Sequence, residues 1–265
     1  MMTGADSYTT INTLVNSTDV GMFNIGAAKS TSKRWVMWGR DETATTSDCD
    51  MYLDPNACLS SASISTGAIT FLADFVSFNS AAGGGITVNV SDGADATTKK
   101  LAFLLIKGGQ WDCGTFAQRN GTGTQDVTIE TGLNPELVFL GGINGTSEAT
   151  VTTNFHIGIG ASDGTTQGAV FMGNDNGLAT WEAVTSNINT KAYKIAAPHA
   201  TASSSTTLAE CDISDMSQVS KFTLDWTTAD ATLRRMVYWA IGTVASGVDC
   251  TVTSRETRNK AIRHV

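Results

Sequence analysis

Ala94-Asp-Ala-Thr-Thr-Lys-Lys100 and Ala229-Asp-Ala-Thr-Leu-Arg-Arg235 are two versions of one seven-residue segment, and they decide how this chain is organised. Each version leads into a continuous apolar run, at residues 101–106 and 236–241, and each run ends near a glycine. Self-similarity over such a distance is typical of a duplicated structural unit. We therefore predict that the chain contains two copies of one fold.

Two further blocks recur in the same order. Residues 72–88 align without a gap onto residues 208–224. Earlier in the chain, Phe23-Asn-Ile-Gly26 matches Phe155-His-Ile-Gly158, and after small gaps Trp38-Gly-Arg-Asp41 matches Met172-Gly-Asn-Asp175. We predict a first unit over residues 1–108, a second unit over 109–242 and a C-terminal arm over 243–265. The stretch that opens the second unit, 109–151, has only a shortened equivalent in the first.

The composition favours strands over helices. Hydrophobic residues make up 41% of the chain and charged residues only 16%, and Thr, Ser, Ala, Asn and 26 Gly fill the difference. Residues 86–90 and 222–226 alternate apolar and polar side chains, as half-buried strands do. The apolar runs at 101–106 and 236–241 fit strands buried on both faces. We predict an all-β fold of two similar β-sandwich or jelly-roll-like units.

Two local features refine this expectation. Asn134-Pro135 is predicted to form a turn before a strand over residues 137–140. Most of the six Trp are predicted to lie in the core, because burying an indole ring stabilises a fold by a few kcal/mol.

The charge of the chain excludes one class of partner. A net charge of −8 repels a phosphate backbone, and no cluster of Lys and Arg interleaved with aromatic residues offsets it, so we predict no nucleic-acid ligand. No stretch approaches the roughly 20 apolar residues of a membrane span. The N-terminal MMTGADSYTT lacks the basic start and apolar run of a secretory signal. We expect a soluble protein that is made in the cytosol and has no membrane partner.

Patterns that suggest catalysis have simpler structural interpretations. Gly160-Ala-Ser-Asp-Gly164 fits the nucleophile-elbow pattern G-x-S-x-G, but a strand-like sequence follows where a helix is required, so we predict a hairpin turn. His156 stands where the other copy has Asn24, so a catalytic triad is not supported. Asp95 and Asp230 recur in both copies beside a basic pair, which favours a turn or a salt bridge.

The remaining carboxylate pairs are also predicted to be structural. Asp48 with Asp50, and Asp212 with Asp215, lack the spacing of a Ca²⁺-binding EF-hand loop and lie in polar stretches, so we predict solvated loops. The phosphate-binding motifs G-x-G-x-x-G and G-x-x-x-x-G-K-[ST] do not occur. We predict no enzymatic activity, no cofactor and no metal.

Five cysteines form no C-x-x-C pair and no Cys/His cluster with zinc-like spacing; they are Cys49, Cys58, Cys113, Cys211 and Cys250. We favour free, mostly buried thiols. The alternative is a disulfide between Cys49 and Cys58 in an oxidising exterior, and the odd count then leaves a thiol without an intrachain partner.

The C-terminal residues 255–265 hold four basic side chains, Arg255, Arg258, Lys260 and Arg263, against one acidic residue. One interpretation is a solvated tail. The other is an arm that docks onto an acidic neighbouring subunit, since the rest of the protein is net acidic. The second interpretation implies head-to-tail assembly.

Parts of the second half resemble a β-rich domain of tailed-phage virion proteins. The resemblance lies in residues 120–128 (NGTGTQDVT), 132–138 (GLNPELV), 155–158 (FHIG) and 222–230 (FTLDWTTAD). The first half lacks the Gly-Thr-Gly and Leu-Asn-Pro segments. The resemblance implies an exposed virion component, either a capsid decoration or a tail, collar or fibre protein, and it implies no catalytic residues.

Two functional hypotheses follow from that resemblance. The first is a virion structural subunit whose partners are other virion proteins and further copies of itself. The alternative is a receptor-binding module that recognises a host glycan or surface protein. We favour the first, because the sequence has no coiled-coil stalk or fibrous repeat and its C-terminal arm suits docking.

Overall fold

The computed structural model describes residues 2–5, 20–43, 47–63, 66–79, 84–93, 100–106, 108–177, 184–198 and 205–244. Over these residues the regular secondary structure consists of nineteen β-strands without a helix, so the all-β prediction is confirmed. The strands in the first half are β1 Met2–Ala5, β2 Val20–Ser30, β3 Lys33–Thr43, β4 Ser47–Asp54, β5 Leu59–Ala62, β6 Ile69–Phe78, β7 Ile86–Asp92 and β8 Lys100–Phe103. Those in the second half are β9 Gln110–Ala117, β10 Gly123–Thr128, β11 Leu133–Ile143, β12 Thr152–Thr153, β13 Phe155–Ser162, β14 Gln167–Asn174, β15 Val184–Ile188, β16 Tyr193–Pro198, β17 Ser205–Asp215, β18 Lys221–Ala229 and β19 Arg235–Val244.

The strands form four antiparallel sheets, two in each half. In the first half a six-stranded sheet has the order β12-β4-β3-β2-β1-β8, and a three-stranded sheet has the order β5-β6-β7. In the second half the six-stranded order is β15-β14-β13-β11-β19-β9, and the four-stranded order is β10-β18-β17-β16. The short strand β12 belongs to the second half by sequence but pairs with β4 of the first.

The same strand order occurs in both halves. The series β4-β3-β2-β1-β8 corresponds to β15-β14-β13-β11-β19, and the series β5-β6-β7 corresponds to β16-β17-β18. The matched sequence blocks fall on corresponding strands. Strand pairing places Met172 opposite Ile157 and Met37 opposite Ile25, so Met172 corresponds to Met37 by its position in the sheet. The sequence match of Met172 with Trp38 is therefore displaced by one residue. The duplication remains a prediction, and this order is the one that a duplication would produce.

The four sheets stack as layers around three cores. A large apolar cluster separates the two sheets of the second half, and two smaller clusters separate those of the first, which is the arrangement of a β-sandwich in each half. The third core lies between the two six-stranded sheets. Trp35 and Met37 from β3 meet Ile157 and Val237 from the second half there. The two halves therefore share a hydrophobic core.

Strand β19 shows why its sequence is a continuous apolar run. Met236 and Tyr238 face the core of the second half, and Val237 faces the core between the halves. The prediction of a strand buried on both faces is thus confirmed for residues 236–241. It is wrong for 101–106, where the strand ends at Phe103 and Leu104 is 57% exposed. Among the described residues, no strand lies on the outer side of β8 to cover that run.

The structure also corrects the predicted turn at Asn134-Pro135. Both residues lie inside β11, and the pairing with β19 shifts register between Pro135 and Leu137. Proline lacks a backbone N–H and is tolerated within a sheet at such bulges. The chain therefore bends at this point without ending the strand.

Candidate interaction surface

A chain of polar side chains runs through the interior of the second half. Nε of Arg234 donates to Oδ1 of Asn144 at 2.6 Å. The amide nitrogen of Asn144 lies 3.0 Å from Nδ1 of His156, and Nε2 of His156 lies 2.8 Å from Oδ1 of Asp175. Because Arg234 fixes the Asn144 carbonyl, we assign the Asn144 N–H to Nδ1 and the imidazole proton to Nε2. Burial lowers the pKa of His156 although Asp175 opposes this, so the ring is neutral.

The repeated seven-residue segment supplies the next member of this chain. Nη2 of Arg234 donates to Oδ2 of Asp230 at 2.7 Å, and the backbone N–H of Thr232 donates to Oδ1 of Asp230 at 3.0 Å. Arg234 lowers the pKa of Asp230 by hydrogen bonding. Asp230 is therefore both a turn residue and a salt-bridge partner, as predicted. Its counterpart Asp95 lies outside the described residues.

Cys49 lies close to these groups but is not an activated nucleophile. Its Sγ donates to Oδ1 of Asp41 at 3.1 Å, and Nδ2 of Asn174 donates to Oδ2 of Asp41 at 3.0 Å. Burial and the adjacent Asp41 carboxylate raise the pKa of Cys49 far above its usual range. Because the thiolate is the reactive form, Cys49 has a structural role at the boundary between the halves.

The serine of the G-x-S-x-G pattern lies in a hairpin turn, as predicted. Ser162 ends β13, and its buried Oγ accepts a hydrogen bond from the N–H of Gly164 at 3.0 Å. The N–H of Asp163 donates to the carbonyl of Thr166 at 3.1 Å and closes the turn before β14. The hydroxyl of Ser162 is thus used in forming the turn.

The carboxylate pairs do not lie in solvated loops, so that prediction is wrong. Asp48 and Asp50 belong to β4, and both bind the buried Arg40, at 2.7 Å from Nη2 and 2.7 Å from Nε respectively. Asp212 and Asp215 belong to β17, where the first pairs with a lysine and the second accepts hydrogen bonds from a nearby serine. These strands tolerate carboxylates because ion pairs and hydrogen bonds compensate the charge.

The thiols behave as the favoured interpretation predicts. Cys49, Cys58, Cys113 and Cys211 are all free and buried, so Cys49 and Cys58 do not form a disulfide. Burial raises the pKa of Cys58 and of Cys113 to about 12. Cys250 lies outside the described residues. Over the described ranges, no group of three or more His, Cys, Asp or Glu side chains could hold a metal ion.

An apolar cleft opens where the sheets of the two halves meet. It encloses about 40 Å³ and is lined only by apolar residues, which are Ala27, Ala28, Phe75, Phe78, Ile86, Leu104, Leu105, Ile106, Trp111 and Trp239. Seven of the twelve exposed large hydrophobic side chains in the described part of the chain lie between positions 76 and 106. Apolar surface that is exposed in one region of a fold is typical of a place that another segment or protein covers.

A second apolar surface adjoins the cleft through Trp239. The ring of Trp239 stacks on Phe139 with centroids 5.4 Å apart. Ile159 lies on the same face of the sheet and pairs with Val170, and Phe139 and Val170 are 37% and 40% exposed. Further along this face, Val237 packs on the first half. We call Phe139, Ile159, Val170 and Trp239 the apolar shelf. Ile159 and Trp239 pack against the edge of the core between the halves, and Phe139 and Val170 are exposed.

Sequence reasoning located some of these residues and missed others. Trp35, Trp38 and Trp226 are buried as predicted, whereas Trp111 and Trp239 line the cleft and are only partly buried. Trp181 and the predicted arm residues Arg255, Arg258, Lys260 and Arg263 lie outside the described residues. Nothing in the local sequence distinguishes Phe139 from a core residue, because its exposure depends on how far the first half reaches across the sheet.

No protein-family model, curated protein or solved structure matches this chain. Within the described residues, no helix is long and apolar enough to cross a membrane. The functional conclusion therefore depends on the geometry of the two apolar surfaces.

Proposed function

We propose that this chain is a non-enzymatic structural subunit of a tailed-phage virion. It is exposed on the particle as a capsid decoration or as a tail or collar component, and it acts by binding copies of itself and other virion proteins. The observation that carries the proposal is the apolar shelf, where Phe139 and Val170 present uncovered side chains on an otherwise buried sheet face. Apolar side chains of this kind provide the centre of protein–protein contacts.

The chemistry of the apolar shelf favours a protein partner over a glycan. Sugars are held by hydrogen bonds from amide and carboxylate groups, usually beside an aromatic ring. The shelf consists of two aromatic and two aliphatic side chains and has no amide or carboxylate group. Receptor binding therefore remains the alternative, and recognition of a host surface protein suits this surface better than recognition of a carbohydrate.

The use of the polar side chains supports a non-enzymatic role. His156 is neutral and held between Asn144 and Asp175, Cys49 is a protonated thiol, and the hydroxyl of Ser162 closes a turn. Each of these three groups thus has a structural hydrogen bond and is buried.

The role of the shelf can be tested by adding charge to it. Phe139→Asp should weaken self-association at least tenfold, measured by sedimentation, and should reduce incorporation into particles, because a desolvated carboxylate opposes an apolar contact. Val219→Asp is the matched control, since Val219 is 48% exposed outside the shelf. Wild-type incorporation of folded Phe139→Asp protein would refute the assembly role of the shelf.

The position of the protein in purified virions separates the two hypotheses. Density that tiles the capsid or encircles the tail in cryo-electron micrographs is expected for a structural subunit. Density confined to fibre tips would make receptor binding the better conclusion.

Deletion of residues 255–265 should leave the fold intact and weaken assembly if the basic arm docks onto an acidic neighbour.

A further inference from the structure

The two halves differ in how their sheets end. In the second half, β9 lies on the outer side of β19 and β10 lies on the outer side of β18. The corresponding strands of the first half are β8 and β7, and no described strand lies on the outer side of either. The exposed apolar run at residues 104–106 directly follows β8. Among the described strands, one side of the first half therefore has an open edge where the second half is closed.

The strand that closes the second half comes from the chain that follows the first. β9 begins shortly after β8, opens the second half and pairs with β19, the last strand of that half. Its sequence includes Trp111-Asp-Cys113, and a similar sequence, Val248-Asp-Cys250, follows β19. The two Asp residues lie twelve positions after Lys100 and fourteen after Arg235, the matched ends of the repeated segment. The sequence beyond β19 thus contains a segment similar to that of β9.

We propose that residues 248–252 add, in the same chain and antiparallel, to the outer edge formed by β8 and the residues 104–106 that follow it. They would take the position that β9 holds beside β19, and each half would then have an edge strand of this kind. The proposal does not depend on the assembly role.

The register follows from the pairs already present in the second half. Cys113 lies opposite Trp239 and Trp111 lies opposite Ile241. The repeated segment matches Lys100 with Arg235, which makes Leu104 the counterpart of Trp239 and Ile106 the counterpart of Ile241. Cys250 is therefore expected opposite Leu104. By the same steps, Val248 is expected opposite Ile106.

The path of the chain allows this pairing within one molecule. Gly242 lies opposite Gln110, so the end of β19 is beside the connection that leaves β8. The residues from Val244 to Val248 can span about 13 Å when extended. A strand that starts at this end and runs back across the molecule is antiparallel to β8, as β9 is to β19.

The side chains of the segment suit the surface that they would cover. Val248, Cys250 and Val252 alternate with Asp249 and Thr251, so the apolar group lies on one face of a strand. That face would meet the cleft, which is lined by apolar residues. The added strand would also cover Leu104 and Ile106, which are 57% and 40% exposed in the structure.

A disulfide can report the register directly, because Cys250 is native and Leu104 is exposed enough to replace. Under mild oxidation, Leu104→Cys should form an intrachain disulfide with Cys250, because directly opposed strand residues meet the distance that a disulfide needs. Mass spectrometry of peptides from the monomer identifies the linked pair. Leu105→Cys is the matched control, because the proposed register places it opposite Asp249 and one residue away from Cys250, and it should link at least tenfold more slowly.

Three results would overturn the proposal. They are a disulfide that joins the Leu104→Cys thiol to Cys250 only between chains, equal rates of linkage for Leu104→Cys and Leu105→Cys, and no linkage in either variant.

Hydrogen exchange gives an independent measurement that needs no substitution. Amides of residues 101–106 should lose protection at least tenfold in a chain that ends at residue 244, and should keep it in a chain that ends at 254. Equal protection in the two truncated chains would also contradict the added strand.

Discussion

At the scale of single residues, His156 shows how its neighbours determine the chemistry of a side chain. Arg234 orients the amide of Asn144, and that amide donates to Nδ1 of His156. Protonation of His156 would place a second N–H group at Nδ1, facing the N–H of Asn144, and would put a positive charge in the protein interior. Burial therefore lowers the pKa of the ring. The matched residue in the first half is Asn24, which has no titratable group and also lies buried.

The first prediction concerns His156 and pH. A pKa below the ordinary 6.5 means that the unfolded chain binds more protons, so the free energy of unfolding should fall as the pH drops below about 6.5. The loss is at most about 1.4 kcal/mol per pH unit for one group. His156→Asn should remove this component, measured by urea unfolding between pH 7 and 5. Parallel pH profiles for the two proteins would show that His156 titrates normally.

At the scale of elements, two matched glycines set how closely strands approach. Gly26 in β2 and Gly158 in β13 occupy equivalent places, and a Cβ at either would strike a backbone carbonyl, of Cys58 and of Lys194 respectively. These carbonyls lie just before β5 and within β16, which are corresponding strands of the facing sheets. The absence of a side chain lets the sheets pack closely in both halves.

The second prediction concerns these glycines. Gly26→Ala and Gly158→Ala should each reduce the free energy of unfolding by about 2 kcal/mol, because a carbonyl fixed in a strand cannot move aside as a flexible side chain can. Gly168→Ala is the control, since its Cβ would meet only the carbonyl of Ile188 at 3.7 Å, an ordinary contact. Urea unfolding of the three variants measures the difference. A Gly158→Ala protein as stable as Gly168→Ala would contradict the close approach.

At the scale of the whole molecule, the core between the six-stranded sheets joins the halves. Val237 and Ile157 from the second half pack with Met37 and Trp35 from the first, and Nε1 of Trp35 donates to the carbonyl of Tyr238 at 3.0 Å. Each six-stranded sheet is therefore buried on both faces over much of its area. Loss of this core would expose both halves to water.

The third prediction follows from this shared core. Val237→Ala should reduce the free energy of unfolding by about 2 kcal/mol and keep a single transition in which both halves unfold together. Hydrogen exchange measured in urea should show β3 and β13 losing protection at the same denaturant concentration. Val170→Ala, at an exposed position, should change stability by less than about 0.5 kcal/mol. Loss of protection in the second half alone would show that the halves are independent.

The sequence predicted the class of fold and several local structures for identifiable reasons. Period-two alternation at residues 222–226 and the apolar run at 236–241 depend on local patterning, and both lie in strands. The salt bridge of Asp230 was predictable because its partner is four residues away. The strand position of Asp50 was not, because its charge is compensated by Arg40 on a neighbouring strand.

The sequence by itself determined that the chain is all-β, that its blocks recur in one order and that its thiols suit burial, since these properties depend on residue type and spacing along the chain. Only the tertiary structure decided that β9 pairs with β19, that the halves share a core and that Phe139 and Leu104 are exposed. Apolar side chains favour burial equally wherever they occur. Which of them remain in water depends on the extent of the sheet that packs over them.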